Sequence, residues 1–207
     1  MLFSATMEQS VAGLVASYVR NPVRIAVEAS AETTGQIDFY CYEVARGSKF
    51  DLLEYLLRKE KGSFLVFVAT KEGADRLTEF LEREAIKVAA IHGDRSQSQR
   101  IEALQGFKNA VYRVLVAPDV AARGIHVDDI AHVVNYDLSQ DPENFVHRVG
   151  RTGRAGARGT SWTFVTPFER PDVRKYKRAL GIQVEYCELP PLPRPIGLVA
   201  DVQAFLA

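Results

Sequence analysis

A doubly wound, parallel α/β sheet flanked by helices is the fold this sequence predicts, on two observations. Short apolar runs without polar alternation recur at 64–69, 88–91, 113–117, 132–135 and 160–165, the pattern of strands buried on both faces. Helical patterns fill the intervals at 50–60, 71–84, 96–107, 141–149 and 168–180. Such alternation builds right-handed crossovers within one parallel sheet.

From the N-terminus, Met1-Leu2-Phe3 reads as a strand, and Val11, Leu14, Val15, Tyr18 and Val19 line one face of a helix ending at Asn21-Pro22. A short strand follows at 23–27, then the small, polar stretch 28–36, which reads as a linker. Within 71–84, Ala74, Leu77, Leu81 and Ala85 return at three- and four-residue steps, as one apolar helix face requires. At 141–149 the start is written out: Asp141 as cap, Pro142 in the first turn, and Glu143 near the positive end of the dipole. Trp162 falls inside a strand and is expected in the core. After Glu188 come Pro190, Pro191, Pro193 and Pro195, an extended tail or a ligand for a proline-recognising domain, with a short helix expected at 198–206. No internal repeat is present.

The chain has 207 residues, 47% of them apolar and 25% charged, which excludes disordered and fibrous classes. No apolar stretch approaches the ~18 residues of a membrane span, and the N-terminus has no signal-peptide pattern, so a cytoplasmic, membrane-free protein is expected. Cys41 and Cys187 are too few for a disulfide scaffold or zinc site, and His92 and His132 have no partner at a ligand spacing, so no metal ligands are expected. The 26 basic and 26 acidic residues cancel, yet from Glu143 to Arg178 nine basic residues face three acidic ones. The basic run at 174–178 is either a solvated helix face or a nucleic-acid contact.

Ligands of open α/β sheets gather at the carboxyl ends of the strands. The unusual polar loops of this chain fall there: Ala69-Thr70-Lys71, His92-Gly93-Asp94, Pro118 to Gly124, and Asn135-Tyr136-Asp137. The densest motif is His147-Arg148-Val149-Gly150-Arg151-Thr152-Gly153-Arg154. Its three arginines, read as helical, fan across one face and repel one another unless an anion lies among them. Guanidinium forks suit phosphate oxygens, and the glycines allow close backbone approach.

These segments resemble the motifs of DEAD-box RNA helicases. His147–Arg154 is similar to motif VI and Asp119–Ile125 to motif V. His92-Gly93-Asp94, with Ser96, Gln97 and Arg100, resembles motif IVa. Phe67–Lys71 is similar to motif IV, and Ser4-Ala5-Thr6 to motif III. The order holds from Leu2 to about Thr166.

The resemblance implies a RecA-like (P-loop NTPase-like) helicase domain 2 over 37–188. Residues 1–27 would be a remnant of the N-terminal RecA-like domain, 28–36 the interdomain linker and 189–207 the tail. It further implies catalytic roles for Arg151 and Arg154 as arginine fingers, with His147 linking the loop to the other domain. ATP would touch Gly124, His126, Arg151 and Arg154. RNA would be gripped by its backbone, without sequence preference, at Thr70, Lys71, Gly93, Asp94, Gln97, Arg100, Asp119 and Arg123.

No G-x-x-x-x-G-K-[ST] match and no acidic D-E-A-D quartet occurs in the sequence. Magnesium is therefore expected to be held by the N-terminal RecA-like half, with no ligands here, and this chain alone is expected to lack ATPase activity. Pro118 and His126 stand where the family pattern has threonine and aspartate. Residues 1–27 are expected to pack on a neighbouring chain by self-association, on the second domain, or to stay disordered. The competing reading is a non-catalytic RNA-binding or protein-interaction module derived from a helicase fragment, and a third is a DNA-directed relative.

Overall fold

The computed structural model describes residues 36–122, 127, 130–139, 141–154 and 157–192, together with Val15, Ser17 and Tyr18. Two compact units divide the chain, Met1–Ser30 and Ala31–Ala207. In the first, Val15, Ser17 and Tyr18 are helical, with Val15 buried and Tyr18 exposed. The strands expected at 1–3 and 23–27, the linker through residue 35 and the tail helix at 198–206 lie outside the described residues, as does most of the segment assigned to packing or self-association.

The second unit is one parallel sheet. Its strands are β1 (Ile37–Glu43), β2 (Phe64–Val68), β3 (Val88–Ala90), β4 (Val114–Pro118), β5 (His132–Asn135), β6 (Gly159–Val165) and β7 (Glu185–Cys187). Its helices are α1 (Lys49–Lys59), α2 (Lys71–Arg83), α3 (Gln97–Lys108), the short α4 (Asp119–Ala122), α5 (Pro142–Val149) and α6 (Arg170–Leu180). Spatial order is β3-β4-β2-β5-β6-β1-β7. The chain steps one way from β1 through β2 to β3 and then back through β4, β5 and β6 to β7, so right-handed crossovers place helices on both faces.

Period two explains the continuous apolar runs. In β2, Phe64, Val66 and Val68 enter the core beneath α1 and α2, beside Leu52, Leu56, Leu77 and Leu81. Leu65 and Phe67 point to the other face, against Ala103 and Phe107 of α3. Further along that face, Ile37 and Phe39 pack on Phe145 and Val149 of α5 and Tyr176 of α6. Trp162 is buried in the first core and stacks on Tyr40 with ring centroids 4.7 Å apart.

Two strands exceed the expected five. β1 alternates Ile37, Phe39 and Cys41 on one face with Tyr40 and Tyr42 on the other. Asp38 and Glu43, near its ends, give it no continuous apolar run, though its aromatic alternation was readable as a strand. β7 is three residues long, two of them exposed, and only its pairing with β1 makes it a strand. The helix at 141–149 begins as expected, with the Asp141 carboxylate accepting from Glu143 N at 2.9 Å.

The amino-terminal rim is structural. Arg113 donates Nη1 to Leu57 O at 2.6 Å and also bonds Glu60 O and Gly62 O, closing the loop before β2. His132, at the start of β5, is buried with Nε2 2.8 Å from Lys61 O and Nδ1 3.4 Å from the Trp162 indole N–H. Both contacts are satisfied by one neutral tautomer: Nε2–H donates and Nδ1 accepts. Burial therefore pushes the His132 pKa below its ordinary 6.5, and a proton added at Nδ1 would face a donor.

The unfolded chain binds that proton more readily than the native one. Stability is therefore flat above 6.5 and falls as pH drops from there towards the lowered native value. Following the imidazole by NMR should give a midpoint below 6.5, and one at or above it would contradict the geometry.

Candidate functional site

The loops at the carboxyl rim are set by local sequence. The Thr70 hydroxyl caps α2 by accepting from Gly73 N at 3.0 Å. Ser96 and Gln99 form a reciprocal capping box at the start of α3. The last turn of α5 brings in Arg148, which is only 2% exposed. Its Nε and Nη2 grip the Asp119 carboxylate at 2.5 and 2.8 Å, and Nη1 donates to Asp137 O at 2.6 Å and Asn135 Oδ1 at 3.3 Å. The guanidinium lies 5.0 Å from the Phe67 ring centroid, a cation–π contact beneath the rim.

That placement corrects the expected fan of three arginines. The helix ends at Val149, with Gly150 as its cap. Arg148 turns inward to a carboxylate, while Arg151 and Arg154 fall on the turn that follows. That turn is pinned. Thr152 Oγ1 donates to Ile130 O, and Ile130 and Thr152 form a parallel bridge. Gly153 adopts φ +66°, and a Cβ there would meet Ile37 Cγ1 at 2.5 Å. At Gly159 a Cβ would lie 2.0 Å from Thr152 Oγ1.

Both remaining arginines are half-buried and anchored to main chain. Arg151 Nε donates to His147 O at 3.2 Å, and Arg154 Nε to Gly150 O at 2.6 Å. Burial, then the nearby Arg154 charge, pushes the Arg151 pKa below the usual arginine value. Two like charges held on one turn favour an anion between them. His147, also half-buried, contributes its carbonyl to this arrangement.

The other sequence-predicted residues lie along the carboxyl rim, whereas the arginine turn is pinned against the starts of β1, β5 and β6. Lys71 Nζ and Asp94 Oδ2 pair at 2.7 Å, and Arg100 Nη1 lies 3.4 Å from Gln97 Oε1. Gly93 is exposed, with open space where a side chain would stand. Asp119, expected to face RNA, spends its carboxylate on Arg148. Arg123, Gly124 and His126 lie outside the described residues. Beside this row, burial alone would raise the Asp75 carboxyl, but hydrogen bonds from His92 and Arg95 outweigh it and hold the pKa below the ordinary value.

Sequence reasoning missed Lys49. It is 3% exposed, and its Nζ lies 2.7 Å from Tyr136 O and 3.4 Å from Asp137 Oδ1. Asp137 was placed on the rim but given no role. Its Oδ2 accepts from Ala69 N at 2.9 Å. A lysine opening an apolar helix carries no mark of burial, so no local pattern could have found this pair.

A parallel sheet of this order, with helices on both faces, is a RecA-like domain of the helicase type. Residues 48–156 match the family described as "Helicase conserved C-terminal domain", and the chain belongs to it, on the DEAD-box RNA helicase branch. The ATP-dependent RNA helicase DbpA of Bacillus subtilis is 40% identical over 191 residues, covering 92% of this chain and 40% of that protein. A DEAD box protein from the hyperthermophile Methanococcus jannaschii superposes with a TM-score of 0.72 at 36% identity, over 90% of this chain and 50% of that one. S. cerevisiae Dbp5 bound to RNA and ADP BeF3 gives a TM-score of 0.79 at 30% identity, over 89% of this chain and 50% of that one. The chain spans about two fifths of the length of the curated relatives it matches.

Two substitutions test the arrangement. Asp119→Ala leaves a buried guanidinium without its carboxylate and should cost about 3 kcal/mol in urea unfolding, much of it recovered by adding Arg148→Met. Gly153→Ala should cost at least ~1 kcal/mol, since both the positive φ and the approach of Ile37 oppose a methyl group. Unchanged midpoints would show that the turn is not pinned as described.

Proposed function

We propose that this chain is the C-terminal half of an ATP-dependent RNA helicase, and that its arginine turn completes a nucleotide site whose other wall belongs to an N-terminal RecA-like half. The observation that carries this is the turn itself. It holds the Arg151 and Arg154 side chains half-buried on one pinned turn, each with Nε tied to a main-chain carbonyl, and burial together with the neighbouring Arg154 charge disfavours the Arg151 cation. An anion with several oxygens relieves that repulsion, and the β- and γ-phosphates of ATP have the required charge and spacing of acceptors.

In this reading Arg151 and Arg154 act on charge that develops as the terminal phosphoryl group transfers, because their Nε anchors leave little reorganisation to be done. Gly150 and Gly153 keep the turn close enough to approach the nucleotide. In the same reading His147 links the turn to the other half, and Gly124 and His126 contact the nucleotide. Thr70, Lys71, Gly93, Asp94, Gln97 and Arg100 are the RNA contacts of this reading, with Arg123 assigned to them by its motif position. At these positions, main-chain donors and short polar side chains suit a phosphate–ribose track read without base contacts. Magnesium neutralises phosphate charge when ATP binds. Its ligands are assigned to the other half in this reading. Support for RNA as the polymer comes from Dbp5, which was solved with RNA and ADP BeF3.

Supplying a DEAD-box N-terminal RecA-like domain in trans, or in a single fused chain, tests the proposal. RNA-stimulated ATP turnover should appear, and Arg151→Ala or Arg154→Ala should reduce it ~10³-fold. Salt-dependent RNA binding without any turnover would instead assign the chain to a non-catalytic module. Equal stimulation by ribose and deoxyribose strands would remove RNA as the preferred polymer.

A further inference from the structure

The pair of buried Lys49 and half-buried Asp137 has no part in the reading above, and it stands at the carboxyl end of β5, between the Thr70 loop and the Arg148 side chain. One Asp137 oxygen accepts from Ala69 N at 2.9 Å, in the loop that presents Thr70. Lys49 Nζ faces the other oxygen at 3.4 Å and donates to Tyr136 O at 2.7 Å. The Asp137 main-chain carbonyl receives Arg148 Nη1 at 2.6 Å, and Arg148 belongs to the helix that delivers the arginine turn. Asp137 N donates to Phe67 O at 3.2 Å, continuing the β2–β5 ladder. One residue thus touches the Thr70 loop through its side chain and the arginine-bearing helix through its main chain.

A buried ammonium is an expensive way to fill space, and an apolar side chain of similar volume would serve packing at least as well. What the ion pair adds is direction. With one carboxylate oxygen facing Lys49, the other is aimed at Ala69 N–H. From this we infer that Asp137, oriented by Lys49, is a positioning residue. It fixes the register of the Thr70 loop against the arginine-bearing helix, so that RNA meets a preformed backbone track. The inference rests on the proposed function and names two residues that neither the motifs nor the arginine turn include.

The test uses this chain joined to an ATP-binding N-terminal half, with an oligouridylate strand as the RNA probe. Asp137→Ala should raise the RNA KM for stimulated ATP turnover about tenfold, the effect of one lost charge-assisted hydrogen bond. Its kcat at saturating RNA should stay within about threefold, because the main-chain link to Arg148 survives. Lys49→Met should also raise the RNA KM. The double variant should be no worse than Asp137→Ala alone, since Lys49 acts through Asp137, whereas independent packing losses would add. Hydrogen exchange should show reduced protection of the Ala69 amide in each variant. If Asp137→Ala does not fold, Lys49→Met carries the same two readouts.

An unchanged RNA KM in either folded variant, while Thr70→Ala raises it, overturns the inference and leaves the function standing. A fall in kcat with KM unchanged overturns it equally. Stimulated turnover that survives both Thr70→Ala and Arg151→Ala removes the functional reading and this inference with it.

Discussion

The guanidinium of Arg148 holds the working rim of this domain together. It enters from the last turn of α5 and finds the Asp119 carboxylate after β4, the Asn135 side chain at the end of β5, and the Asp137 carbonyl beyond it. Burying an isolated charge of this size costs several kcal/mol. It is tolerated because four hydrogen bonds and the face of Phe67 replace the lost water. Arginine, with its rigid fork and permanent charge, meets three fixed acceptors at once where lysine could not. Once Arg148 is placed, the end of α5 is placed, and the turn beyond it has little freedom left.

Pinning of that turn gives the two remaining arginines their chemical character. On a loose loop, Arg151 and Arg154 would swing apart and each would be an ordinary solvated cation. Here Nε of each is tied to a carbonyl one turn back, and the turn is wedged by Thr152 against Ile130 and by Gly153 against Ile37. The repulsion between them is therefore built into the fold. Three residues earlier the same residue type behaves differently: Arg148 grips the Asp119 carboxylate, whereas Arg151 and Arg154 are anchored through Nε to main-chain carbonyls. That contrast is what makes the proposed nucleotide contact asymmetric, with this chain bringing positive charge and an opposing half bringing the phosphate cradle.

Much of the architecture was legible along the chain. Strands buried on both faces announce themselves as unbroken apolar runs, and caps at Thr70, Ser96 and Asp141 are local chemistry that needs no tertiary context. β1 was missed because Asp38 and Glu43 leave it an alternating pattern in place of an unbroken apolar run, and β7 because three residues, two of them exposed, become a strand only by pairing. In the candidate site, the motif positions were visible as residue types at fixed spacing. The inward turn of Arg148 was not, since a three-residue step looks like one helical face until the helix is known to stop at Val149. Lys49 left no trace at all, because its partners lie 87 and 88 residues away.

By itself, then, the amino-acid order determined five strands of the parallel sheet, the capped starts of the helices at Lys71, Gln97 and Pro142, and the polar loops that follow the strands. These follow from periodicity and capping, which act over a few residues. Tertiary structure decided which charges are spent inside the domain and which face outward. That division depends on burial and on partners brought from distant strands, and no local pattern encodes the distance between Arg148 and Asp119 or between Lys49 and Asp137.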